Sequence, residues 1–440
     1  MAFVHPQSCE CAKSELDLFS VPPTQTMIES GGVIEYNPIS SLADGTPIEF
    51  IIGGSGQDYL DLSNTQLLVR AKITRVDGTN IANTHNVGPT NLWLHSLFSE
   101  VDMKLNDTLV TSTNNTYAYR AYIETLLTYG PEAKQSQLTS ELYYKDVAGA
   151  MNELDLQANP VLNTGLLQRR NHGSVSAVVD MLGAIHCDLF FQNKYLPNDV
   201  SVRIRLVRSK DAFCLMSDDA AHGYRVKIVE CKLLVRKAKL NPAVFVVHAK
   251  AFELGNAKYP LRRVVCKTFT VPRGNLDFAQ ENLFSGQLPT RLVVGLVSNS
   301  AFNGAYDENP FNFQHYNLSQ MKVYLDGQSQ YVKPIETNYA QNQFVSAYLS
   351  LFSGTGKLNK DEGTDISRSE YPQGYCLYAF DLTPDLAEND HFNLQKDGSL
   401  RLDLKFGAAL PVTINVICYG EFENCLEIDR SRNVLFDYSN

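Results

Sequence analysis

The sequence predicts an all-β protein built as two jelly-roll β-sandwiches in tandem, a double jelly roll, each with a short helix in its loops. Three observations carry that expectation. A pattern of elements occurs twice, short alternating strands follow one another between turn residues, and the 440-residue length exceeds one typical core and suits two of about 200 residues each.

The repeat is the strongest of the three. In the first copy, Val101-Asp102-Met103-Lys104-Leu105 alternates apolar and polar residues into the turn Asn106-Asp107, and a helical stripe of Tyr119, Tyr122, Ile123 and Leu126 follows. In the second, Met321-Lys322-Val323-Tyr324-Leu325 runs into Asp326-Gly327, and the stripe is Phe344, Val345, Tyr348 and Leu349. Both copies read as strand, turn, short strand, helix. The offset is 220 from Leu105 to Leu325 but 198 from Ser201 to Ser399, so the first copy carries an insertion after its helix. A helical insertion at about 131–172, with Leu138, Leu142, Val147, Met151, Leu154 and Leu156, fills that role.

Residues 1–26 read as an extended arm, because Pro22-Pro23 forbids helix and Gly31-Gly32 precedes the first strand. Period-two patterns then place strands at 33–36, 48–52, 66–76, 175–181, 186–191, 202–207 and 226–235. Asn241-Pro242 marks a boundary between a first sandwich, 27–240, and a second, 241–440. Strands resume at 263–271, 291–297, 321–325, 375–381, 400–406 and 412–419, joined by long loops at 299–317 and 354–374 rich in Asn, Gly, Asp and Ser. Many strands, few helices and long connections describe antiparallel sandwiches of the jelly-roll type.

Composition narrows the function. Hydrophobic residues make up 44% and charged residues 20%, enough for two globular cores, and the 22 Tyr and 22 Phe suit strand faces and interfaces. A net charge of −10 argues against gripping nucleic acid through the bulk field. No window supplies the run of about 18 apolar residues that a membrane-spanning helix needs, and the start lacks the order of a signal peptide. Nine scattered cysteines read as free, mostly buried thiols of a reducing compartment.

Chemical motifs are weak. Cys9-Glu10-Cys11 lacks two further metal ligands, and Gly53-Gly54-Ser55-Gly56 lacks the Lys and the helix start of a phosphate loop, so it reads as a strand connection. His95, His186, His248 and His315 lie in or beside apolar segments with no second ligand at metal spacing, and are expected in cores or turns. Asp58 with Asp61, and Asp307 with Glu308, are the candidate carboxylate pairs for glycoside cleavage or calcium, though acids beside Gly, Asn and Ser ordinarily cap turns. No Gly-x-Ser-x-Gly elbow occurs. The expectation is therefore no catalytic, cofactor or metal residue. A basic stretch, Arg225, Lys227, Lys232, Arg236, Lys237 and Lys239, with Arg262-Arg263 beyond it, reads as an exposed strand face. The sharper readings set it against packaged DNA or against acids of a neighbouring subunit.

Several segments together resemble a known family. They are Leu288-Pro289-Thr290-Arg291-Leu292-Val293-Val294-Gly295-Leu296-Val297, Asn309-Pro310-Phe311-Asn312-Phe313-Gln314-His315-Tyr316-Asn317-Leu318 and Val323-Tyr324-Leu325-Asp326-Gly327, with Glu35-Tyr36-Asn37-Pro38-Ile39 and Asp58-Tyr59-Leu60-Asp61-Leu62 nearer the start. From about residue 20 onward the chain resembles the double jelly-roll major capsid proteins of Polinton (Maverick) elements and adintoviruses.

The resemblance implies a non-enzymatic structural subunit whose homotrimer shows six jelly rolls in near-hexagonal outline. Such trimers tile an icosahedral shell around double-stranded DNA. It further implies a virion location, assembly inside the host cell, and as partners a second and third copy, neighbouring trimers, a penton protein at the vertices and non-specific contact with packaged DNA. The aromatic loop Phe311 to Tyr316 is expected to pack within the trimer. The alternative is a trimeric β-sandwich carbohydrate-binding or receptor-attachment protein, against which the duplication and the missing fibrous stalk both argue.

Overall fold

The computed structural model describes residues 7–436 apart from 10, 12, 44, 55, 159, 220–222, 328–331, 387–390 and 395. Strands β1 (Ile28–Tyr36), β2 (Ile48–Ile52), β3 (Asp58–Arg75) and β4 (Val87–Pro89) lead into the short helix α1 (Trp93–Ser96). Then come β5 (Phe98–Leu105), β6 (Thr108–Thr111) and helix α2 (Tyr117–Thr128). The insertion supplies α3 (Pro131–Gln135), a 3-10 turn at Gln137–Glu141 and α4 (Thr164–His172). It is followed by β7 (Val179–Ala184), β8 (Val202–Arg208), α5 (Asp211–Cys214), β9 (Leu215–Ser217) and β10 (Tyr224–Leu240). After helix α6 (Pro242–Leu254) the chain continues through β11 (Ala257–Val271), β12 (Asp277–Gln280), β13 (Arg291–Ser298), α7 (Asn299–Asn303), β14 (Leu318–Leu325) and β15 (Ile335–Glu336). Helix α8 (Val345–Ser353), β16 (Leu377–Asp381), β17 (Leu400–Phe406), β18 (Ile414–Ile428) and β19 (Val434–Leu435) complete it.

The duplication is visible in strand order. One antiparallel sheet of the first half runs β1-β10-β3-β7 and one of the second runs β11-β18-β13-β16; the facing sheets run β2-β8-β5-β6 and β12-β17-β14-β15. Strand by strand, in chain order, the two sets correspond, and each is the two-sheet jelly roll that the sequence predicts. Extra elements distinguish them: the β4-β9 pair and the helical insertion in the first, β19 beside β18 in the second.

Alternation dictates which side of each strand is buried. In β8, Val202, Ile204 and Leu206 turn inward against Phe50, Val101 and Met103 of the same sheet's inner face, all at most 1% exposed. Each such side chain contributes about 1.5–3 kcal/mol through burial. Strand β10 shows how a long strand keeps its phase. Its buried residues are Tyr224, Val226 and Ile228, then Cys231, Leu233 and Val235, then Ala238 and Leu240. The two breaks in that pattern coincide with register shifts against β3 at Ile228/Glu230 and Leu234/Arg236. The first shift adds Val229 to β10, and at the second the four β3 residues Leu62–Thr65 lie opposite the single Val235; after each, apolar side chains return to the core face.

Three expectations need correction. The segment 186–191 is a loop and a 3-10 turn (Asp188–Phe191), because the Asp188 carboxylate is drawn inward to Arg120, Thr111 and the Val264 N–H. The strand expected from 175 begins only at Val179, since Val175 and Ser176 have positive φ in a preceding 3-10 turn. In α8, Phe344 is buried and Tyr348 half-buried, whereas Val345 and Leu349 are exposed and the buried residues are Ala347, Ser350 and Leu351. Between β10 and β11, Asn241-Pro242 also starts a helix: the Asn241 side chain accepts the Ala243 N–H and proline stands at the first turn, where it lacks nothing.

Candidate functional site

Chemistry concentrates where the two sandwiches meet. The sheet face bearing Arg291, Val293, Tyr419 and Glu421 turns toward α2, and with Ile123, Glu124 and Leu127 it lines a polar cavity of about 190 Å³. Aromatic packing closes the same junction: the Tyr122 ring stacks on Phe311 at 4.2 Å, and Tyr119 stacks on Phe302 at 5.5 Å. Phe311 and Phe313 are thus buried inside their own chain, not held for a trimer contact.

The insertion seals the junction with hydrogen-bonded charges. Arg169 and Asp146 pair at 2.6 Å with both side chains fully buried. Arg169 also donates to the Pro89 and Tyr144 carbonyls, and Asn163 and Asn309 both donate to Asp146. Lys134 is buried as well and donates to the Leu126 and Thr364 carbonyls at 2.8 and 2.7 Å; burial lowers its pKa to about 7.

A second polar cluster lies beside α2. Arg120 bonds Glu124 at 2.9 Å and Asp188 at 2.8 Å. Burial works to raise the Glu124 pKa, but Arg120 and His186 outweigh it and hold the carboxyl at about 2. His186 Nδ1 meets Glu124 Oε2 at 2.5 Å, and its ring lies edge-on to His95 with centroids 4.6 Å apart. His95 Nδ1 pairs with the Tyr117 hydroxyl at 2.9 Å, while its Nε2 faces Glu141 Oε2 at 3.3 Å without a hydrogen bond. Burial lowers the His95 pKa, so the ring is neutral near pH 7. Two of the four histidines, expected to stand apart, therefore meet in one buried cluster.

The remaining candidates are structural. His248 Nδ1 bonds the Tyr59 hydroxyl at 2.8 Å, and His315 stacks on Tyr339 at 3.9 Å. Asp61 caps its own turn, accepting from Ser63 and Asn64, and Glu308 accepts from Ser300. Cys9 and Cys11 are exposed; Glu10 lies outside the described residues. In the glycine-rich connection, a Cβ on Gly54 would lie 2.5 Å from the Val200 backbone, so the glycine serves close packing; Ser55 lies outside the described residues. The basic stretch lies on the outward side of β10 with partners at hand: Lys232 to Glu35 and Glu230, Arg236 to Asp61, and Lys239 to Glu29.

Several surfaces leave apolar groups uncovered. Leu16, Leu18, Phe19 and Val21 of the arm are exposed, Phe19 at 97%. Helix α6 has no buried residue despite its Val, Phe and Ala content, and it roofs an apolar groove of about 940 Å³ with Tyr59, Tyr195 and Tyr259. No helix among the described residues is long and apolar enough to cross a membrane.

No family model matches the chain. An uncharacterized protein of Caenorhabditis elegans is 27% identical over 432 residues, which is 95% of this chain and 99% of that protein. Among solved structures, the Sputnik virophage structure matches with a TM-score of 0.65 at 11% identity, covering 98% of this chain and 94% of the other. The faustovirus major capsid protein matches at 0.57 and 9% identity over 94% and 92% of the two chains. The mavirus major capsid protein matches at 0.52 and 10% identity over 100% and 96%. Strand order and these likenesses together give the chain the double jelly-roll fold.

Proposed function

We propose that this chain is a non-enzymatic major capsid protein of the Polinton and adintovirus group, with jelly rolls at 27–240 and 241–440 and an arm at 1–26. Three copies form a pseudo-hexameric capsomer, and capsomers tile an icosahedral shell around double-stranded DNA, with a separate penton protein at the vertices. Near-complete coverage by capsid folds supports the shell role.

The observation that carries the trimer is an unmatched pair of surfaces. In the first sandwich α2 packs on the outward face of the second sandwich's β13 and β18. Its counterpart α8 leaves Val345 and Leu349 exposed, at 42% and 45%. The first sandwich's corresponding face, with Lys72 opposite Lys227, Arg70 opposite Glu230 and Leu68 opposite Lys232, has none of these six residues buried. A ring of three chains satisfies both, each α8 meeting the β3–β10 face of the next copy as α2 meets β13–β18 within one chain. The basic stretch then lies against a neighbouring subunit, and the arm's apolar residues clasp it.

Size-exclusion chromatography with light scattering tests this reading. The expected mass is that of three chains, with hexagonal outlines in negative stain; Val345→Asp with Leu349→Asp gives a folded monomer by circular dichroism. A wild-type monomer with saturable sugar binding would replace this function with the attachment role.

A further inference from the structure

We propose that His95, Glu141 and His186 form a buried site for one divalent transition-metal ion, Zn²⁺ above all, that pins the junction between the sandwiches. The inference rests on side-chain geometry and does not depend on the capsid role.

One nitrogen from each ring and one Glu141 oxygen lie within 4.8 Å of one another, and all three residues are buried. They arrive from three separate segments: His95 from α1, Glu141 from the end of the insertion's 3-10 turn, and His186 from the loop after β7. Two imidazoles and a carboxylate are a ligand set for Zn²⁺ and its neighbours, whereas calcium and magnesium take oxygen shells. Ligand atoms about 2.0–2.1 Å from a tetrahedral ion are themselves about 3.3 Å apart, and His95 Nε2 and Glu141 Oε2 stand at 3.3 Å.

Three further features point the same way. His95 Nε2 and Glu141 Oε2 are buried polar atoms without a hydrogen-bond partner, a costly arrangement that an ion between them would relieve. Each ring's other nitrogen is already engaged, His95 Nδ1 by the Tyr117 hydroxyl and His186 Nδ1 by the Glu124 carboxylate. That is the outer layer that orients metal-binding histidines and leaves Nε2 for the ion. Space for the carboxylate comes from Gly183, where an added Cβ would lie 2.2 Å from Glu141 Oε1. Through Glu124 the site reaches Arg120 and the Tyr419 hydroxyl on β18, so an occupied site would brace one sandwich against the other.

The test uses tag-free, full-length protein in its native assembly, with zinc measured by mass spectrometry after exhaustive dialysis. The expected result is one Zn²⁺ per chain, a thermal midpoint that falls on chelation and returns with Zn²⁺, and visible absorption of a tetrahedral complex on Co²⁺ exchange. His186→Gln and Glu141→Gln should abolish stoichiometric binding, Glu124→Gln should weaken it about 10- to 100-fold, and the surface variant His172→Gln should retain it. Wild-type protein that takes up no zinc or cobalt, with a midpoint indifferent to both chelator and Zn²⁺, would overturn the proposal even if the variants do not fold. Equal zinc in folded His186→Gln and wild type would overturn it too.

Discussion

Helices α2 and α8 hold the same place in the two sandwiches, each after the short strand that ends a β2-β8-β5-β6 or β12-β17-β14-β15 sheet. Their surroundings are opposite. Ten of the 12 residues of α2 are buried, including Arg120, but only three of the nine in α8. The second sandwich covers α2, and within the chain no third sandwich is there to cover α8. Topology has been repeated; chemistry has not. Buried ion pairs gather around α2 and the insertion, the parts of the junction that are made once per chain. In the second sandwich the Arg401–Asp403 ion pair stays at the surface.

The largest test of that asymmetry removes one partner of a buried pair. Asp146→Ala leaves the Arg169 guanidinium without its carboxylate in a site that excludes water, a loss of about 3–5 kcal/mol. Asp403→Ala on the surface of the second sandwich should shift a urea midpoint far less. Similar shifts from both would erase the distinction between the junction and the outer face.

A smaller effect separates the two helices themselves. Tyr122 is fully buried and stacked on Phe311, so Tyr122→Ala should cost about 3–5 kcal/mol. Tyr348, half-buried beside Tyr371 and bonded to the Ile366 carbonyl, should lose about 2 kcal/mol less in the isolated chain. If the trimer covers α8, the gap should narrow once Tyr348→Ala is measured in the assembled form.

Period-two alternation made most strands readable, and the repeat of strand, turn and helix exposed the tandem fold. What escaped had physical causes. The capping and proline signals at Asn241 and Pro242 mark a helix start as well as a break, and the helix they open buries nothing, so hydrophobic periodicity offered no help. In α8, apolar spacing alone cannot tell a core face from an exposed one. His95, Glu141 and His186 come from three segments with no shared spacing, and only tertiary folding brings them within 4.8 Å. Gly183, which makes room for Glu141, looks in sequence like any glycine in a strand.

The mildest prediction turns on Lys134, which ties α3 of the first sandwich to the Thr364 carbonyl of the second. Its folded pKa of about 7 lies below the ordinary 10.5 because burial penalises the ammonium more than Asp365 supports it. The unfolded chain therefore keeps this proton up to about pH 10.5 while the folded chain releases it near 7. Between those values the unfolded state binds more protons, so the contribution of Lys134 to stability rises with pH; below pH 7 it is flat. Cysteines and tyrosines titrating in the same range are shared with a Lys134→Met variant and cancel in the difference. From pH 6.5 to pH 8, wild type should gain about 1–2 kcal/mol relative to that variant in urea unfolding. A flat difference would mean that the amine keeps its proton in the fold, its charge held by the two carbonyls at the junction.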